Sequence, residues 1–261
     1  MPHTLELHEY GEGIGNAAAV LRNNAARAGL DAPVPSCPLW SVADLVIHQG
    51  VVHRWAAAIV EGREPRDAPS VTREAAASGD LLGWFDDGLV EVLNALGRAA
   101  DDLDAWFYLA DPPAPRLAWS RRMCHETTVH AIDAMTVALG RAPKVSEVWF
   151  GSRLAADGID ELLTGFLPRP RTPLRYDREV SIAVRPDDSS QSWTVSAGEE
   201  APRTILGSHA DADADAPADA DLSLGGSAAG LYLALWNRGD QLTVTGDAAL
   251  WDVWRARMRV G

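Results

Sequence analysis

Apolar residues in this chain keep a helical period over roughly the first two thirds, and after a proline-rich stretch they switch to alternation. That switch, at Pro168-Arg-Pro-Arg-Thr-Pro173, rules out a single uniform architecture. It predicts a helical part over residues 1–168 and a smaller mixed part over 174–261. In the first part, Ile14, Ala18, Leu21, Ala25 and Ala28 recur at steps of four and three, and Gly29 ends the run. A second helix opens at Ser41 with Asp44 three residues on, close to a capping box, and points Leu45, His48, Val52, Trp55 and Ile59 inward. A third starts near Asp80 with Leu81, Phe85, Leu89, Val92 and Leu96 on one face. The fourth follows the break at Pro112-Pro-Ala-Pro115 and runs to Gly140. Four such stripes fit an antiparallel four-helix bundle.

A fifth helix is expected from Ser146 to Phe166. Beyond the prolines, Val180-Ser-Ile-Ala-Val184 and Ser192-Trp-Thr-Val-Ser196 alternate as strands, with Asp187-Asp-Ser-Ser190 as the turn and Arg203-Thr-Ile-Leu206 as a third strand. Leu222 to Asn237 reads as helix, Leu242-Thr-Val-Thr245 as a strand and Ala248 to Met258 as a closing helix. The fold class is α+β overall. The Ala/Asp repeat from His209 to Ala220 reads as a solvated loop without chemistry.

Composition narrows the function classes. A formal charge of −14 opposes a phosphate backbone, so no nucleic-acid partner is expected. No apolar run reaches the roughly 20 residues that span a bilayer, and the first residues lack a signal-peptide pattern. Cys37 and Cys124 offer at most one disulfide. A cytoplasmic, reducing setting is expected.

The segment that carries chemistry is Trp119-Ser-Arg-Arg-Met-Cys-His-Glu-Thr-Thr-Val-His-Ala-Ile-Asp133. Trp119, Met123, Glu126, His130, Asp133 and Val137 share one face, so two acids and an imidazole lie on the bundle-facing stripe. Charges there are expensive unless they are paired or bind a metal. Glu126 and His130 stand one turn apart, and His48 supplies a third donor from the second helix. Two nitrogens and one carboxylate form a donor set that suits Zn²⁺ with an open position. His125 and His130 are five residues apart and thus roughly 140° apart around the axis, which excludes the zinc-protease arrangement. Asp133 reads as a residue that orients a ligand. His53 and His125 read as packing or surface histidines, and His3 and His8 as exposed.

Cys37-Pro-Leu-Trp-Ser-Val-Ala-Asp-Leu-Val-Ile-His48 with Val52-His-Arg-Trp55, and His125-Glu-Thr-Thr-Val-His-Ala-Ile-Asp133, resemble the two ligand segments of the mycothiol-dependent maleylpyruvate isomerase family. Asp157-Gly-Ile-Asp-Glu161, Leu233-Ala-Leu-Trp-Asn-Arg238 and Val244-Thr-Gly-Asp247 resemble its later segments. The resemblance implies a DinB-like four-helix bundle followed by a sterol-carrier-like α+β domain. It implies metal ligands at His48, Glu126 and His130, an arginine facing the active site at Arg238, and mycothiol, a low-molecular-weight thiol, as cosubstrate. Two neutral imidazoles and one carboxylate leave a dication with one net positive charge, which a thiolate neutralises. The expected reaction is attack of that thiolate on a small electrophile, ending in cis–trans isomerisation or S-transfer. A metal-dependent hydrolase and a non-catalytic small-molecule-binding protein are the alternatives.

Overall fold

In a computed structural model of the chain, residues 5–208 and 220–258 are described. The Ala/Asp repeat, except its last residue, and His3 lie outside them. The chain forms two compact units, which part between Pro143 and Lys144. The first, Glu6–Tyr108 with Pro112–Pro143, is helical. The second holds the described residues from Lys144 on, together with Leu5 and Leu109–Asp111.

The helical unit contains α1 (Leu7–Ala28), α2 (Val42–Val60), α3 (Ala68–Ala77), α4 (Leu81–Arg98) and α5 (Pro115–Leu139). Helix α1 packs along α5, and α2 along α4. These four make the bundle, and α3, which the sequence reading missed, is a short addition laid on α2. Each start has a chemical cause. Ser41 accepts from the Asp44 amide while Asp44 accepts from the Ser41 amide, Asp67 and Asp80 cap α3 and α4, and Pro115 occupies the first turn of α5. Helix α5 stops at Gly140 in the left-handed region, φ +68°.

Two glycines let α2 and α4 approach. A Cβ at Gly50 would stand 2.3 Å from the Trp84 ring, and one at Gly88 would stand 2.2 Å from the Arg54 guanidinium. Arg54 lies over the Trp84 ring at 3.8 Å and donates to the carbonyls of Trp84 and Gly50. Helix α2 is turned relative to the expected stripe. Leu45 is buried, but His48, Val52, Trp55 and Ile59 are half-buried, while Gln49, His53, Ala56, Ala57 and Val60 fill the interior. The helix is apolar nearly all round, so periodicity did not determine which face turns inward.

The second unit carries a five-stranded sheet in the order β3-β2-β1-β4-β5, from β1 (Val180–Pro186), β2 (Gln191–Ala197), β3 (Arg203–Ser208), β4 (Leu222–Gly226) and β5 (Thr243–Gly246). Among the described residues, the β1–β4 pair alone is parallel and the other pairs are antiparallel. Around the sheet lie α6 (Ser152–Asp160), α7 (Ala228–Leu235) and α8 (Ala248–Arg257). Two expectations need correction. The helix expected from Ser146 is a short 3₁₀ turn, Val145–Glu147, followed by α6 and a π-helical turn, Glu161–Phe166. The helix expected from Leu222 starts only at Ala228, because Leu222–Gly226 pairs with β1 and β5. Trp193 of β2 is buried, and its Nε1 donates to Asp160 Oδ1 at 3.0 Å.

Candidate metal centre

Helices α2 and α5 run antiparallel, and the contact between them is layered. His48 meets Glu126; seven residues on along α2, Trp55 meets Trp119, seven residues back along α5, with ring centroids 5.1 Å apart. The layers are therefore two turns, or about 10 Å, apart. Trp106, Phe107 and Tyr108 complete an aromatic cluster in the second layer, and Trp119 Nε1 donates to the Trp106 carbonyl.

In the first layer the donor atoms of His48, Glu126 and His130 all lie within 4.8 Å of one another. Glu126 Oε1 is 3.3 Å from His48 Nε2 and 3.4 Å from His130 Nε2. The two imidazoles meet edge to face at 4.9 Å, and Trp40 flanks both, at 4.7 Å from His48 and 5.9 Å from His130. His48 retains 34% of its side-chain exposure and Glu126 22%, so the cluster opens to solvent on that side.

The other ring nitrogen of His130 is engaged. Its Nδ1 lies 2.9 Å from Asp133 Oδ2, and Ser36 Oγ donates to Asp133 Oδ1 at 2.5 Å. Asp133 is fully buried. This carboxylate fixes the tautomer and leaves Nε2 for the cluster, the arrangement found behind metal-binding histidines. Behind Glu126 stands Arg122, fully buried, whose Nη2 donates to Oε2 at 3.2 Å. The sequence reading counted Met123 on the inward stripe and passed over Arg122, although a step of four before a core acid was the signal available.

Burial alone would push the Glu126 carboxyl up. Hydrogen bonds with His130 and His48, aided by the Arg122 charge, outweigh it and hold the group well below the usual carboxylate range. Burial would likewise lower His130, but Asp133 and then Glu126 raise it to about 9. A metal-free cluster thus holds a proton on His130 at neutral pH. The residues fit a divalent ion: two imidazole nitrogens and one carboxylate oxygen converge, and the far nitrogen of His130 is already engaged.

His53 and His125 are both fully buried and stand outside this cluster, and His8 is exposed. Arg238 belongs to the other unit. It is buried just beyond α7, where Asn237 takes a left-handed conformation (φ +59°) and the Arg238 amide donates to the Leu233 carbonyl. Its Nη1 donates to the Trp236 carbonyl at 2.7 Å.

The model of the mycothiol maleylpyruvate isomerase N-terminal domain matches residues 13–135, and that of the family's C-terminal domain matches residues 153–252. The chain belongs to the mycothiol-dependent maleylpyruvate isomerase family. The N-terminal match takes in His48, Glu126, His130 and Asp133, and the C-terminal match takes in Arg238. Among solved structures, the chain is similar to the mycothiol-dependent maleylpyruvate isomerase at 14% identity and a TM-score of 0.58, over 93% of this chain and 94% of that one. A histidine-to-alanine mutant of that enzyme gives 0.60 at the same identity and coverage. At this identity the likeness shows the α+β fold. No curated protein matches the chain by sequence. No described helix is long and apolar enough to cross a membrane.

Proposed function

We propose that this chain is a metal-dependent enzyme that uses mycothiol as cosubstrate to isomerise a small electrophile. The observation that carries the reading is the convergence of His48, Glu126 and His130 from two helices, with Asp133 behind His130, in a chain of this family. A divalent ion held by these three residues, zinc by its donor set, supplies a Lewis acid that keeps a thiol ionised near neutral pH.

The chain's own residues do the rest. Asp133 and Ser36 hold the His130 ring, and Glu126 offers Oε1. Trp40 keeps water from one flank of both imidazoles and leaves the exposed side of His48 as the approach. For Arg238, in the other unit, the support is the resemblance of Leu233–Arg238 to the family's later segment, which assigns it a substrate carboxylate that its guanidinium fork matches.

The thiolate sulfur donates an electron pair to one carbon of a cis double bond conjugated to a carbonyl. A C–S bond forms, and the π pair moves onto the carbonyl oxygen. Rotation about the resulting C–C single bond is free. Return of the pair re-forms the double bond as trans and breaks the C–S bond, so the thiolate is regenerated and nothing is oxidised. Where a proton first reaches the carbon next to the carbonyl, the thiol stays attached and the product is an S-conjugate.

The test is a titration of the Co²⁺-substituted protein with mycothiol. A sulfur-to-metal charge-transfer band should appear and persist well below the free thiol's pKa of about 8.5, and turnover should require the thiol. Turnover without thiol and without a new band would instead identify a hydrolase that uses water.

A further inference from the structure

The carboxylate of Glu126 is divided between two sets of partners. Oε1 faces both imidazoles at 3.3 and 3.4 Å, whereas Oε2 accepts from Arg122 at 3.2 Å. Arg122 stands one turn before Glu126 on the same face of α5, so the helix holds the two in register. Arg122 is fully buried. A buried ion pair is on average no more stabilising than apolar residues of the same volume, so stability alone does not account for a guanidinium here. One of its donors, Nη2, occupies one particular oxygen of Glu126. A carboxylate with both oxygens available binds a divalent ion through one or through both, and the second mode would fill a coordination position.

We infer that Arg122 is a positioning residue that keeps Glu126 a one-oxygen ligand and so leaves a position on the metal open for the cosubstrate thiol. The inference rests on the metal-centre reading above. An arginine suits the task better than a lysine, since its planar donor fork is fixed in direction and stays charged at any working pH.

The experiment uses Co²⁺ alone, with no thiol. Wild-type protein should show the strong visible absorption of a four-coordinate cobalt ion. Arg122→Met, confirmed as folded by far-UV circular dichroism, should lose most of that intensity as Oε2 is released to the ion and the coordination number rises. Arg122→Lys, which keeps a donor near Oε2, should recover part of the intensity. A wild-type spectrum in folded Arg122→Met overturns the inference. Should Arg122→Met fail to fold, the crystal structure of the zinc-loaded wild type decides. One Glu126 oxygen on the metal supports the inference, and two at bonding distance overturn it. A wild type that takes up no cobalt removes the metal centre, and the inference with it. An unchanged spectrum in Arg122→Met removes the inference alone.

Discussion

Acid is expected to destabilise the helical unit through one imidazole, that of His53. The ring is fully buried, 5.6 Å from Phe85, with Nε2 at 2.9 Å from Gln49 Nε2 and 3.0 Å from Thr127 Oγ1. A neutral ring accepts from the Gln49 amide there, whereas a protonated ring has no lone pair left to do so. Burial first, then the Arg54 charge, brings its pKa from 6.5 to about 3, against a partial pull upward from Glu126. The sign follows from linkage. Between those two values the unfolded chain holds a proton on this residue and the folded chain does not. The stability gained from a neutral His53 is therefore complete above pH 6.5 and is lost as pH falls toward 3. The slope is about 1.4 kcal/mol per pH unit, or about 5 kcal/mol over the whole interval. That is comparable with the total stability of many domains. Urea unfolding of metal-free wild type and His53→Gln at pH 7, 6, 5 and 4 tests this, because glutamine stays neutral throughout. The wild type should be the more stable at pH 7, and the gap should shrink by about 1.4 kcal/mol per unit below pH 6. A gap that stays constant from pH 7 to 4 would refute the reasoning.

Zinc uptake near neutral pH should release about one proton, since His130, raised to about 9, must give one up to bind. Affinity should therefore rise with pH until that value is passed; calorimetry in buffers of different ionisation heat measures the release, and none at pH 7 would count against the ligand role of His130. Gly50→Ala should cost about 1–3 kcal/mol in urea unfolding, because its Cβ would stand 2.3 Å from a Trp84 ring that Arg54 already covers. Ser41→Ala should cost about 1 kcal/mol through loss of the cap that starts α2.

The features legible in the sequence were those set by local spacing. Ser41 and Asp44 form the expected capping box, and the α1 stripe from Ile14 to Ala25 is buried as read. The one-turn step from Glu126 to His130 places their donor atoms together, and Asp133 lies behind His130. Where tertiary packing decides, the sequence was mute. The run from Val42 to Val60 is apolar on most faces, so the rotation that buries Gln49 and His53 and leaves His48 at the edge does not show in its period. Leu222–Gly226 becomes a strand through a parallel partner some forty residues earlier, which no local pattern announces. Helix α3 has only Val71 and Ala75 buried, too few apolar positions to stand out. The hydrogen bonds that join Gln49 and His53 to Thr127 cross from α2 to α5 and needed the fold.

Elemental analysis of the purified chain tests the central claim most directly. It compares the wild type with His48→Ala, Glu126→Ala and His130→Ala, with His125→Gln as the control from outside the cluster. The account predicts about one divalent ion per chain in the wild type and in His125→Gln, and little in each of the other three. A full metal load in folded Glu126→Ala would contradict it.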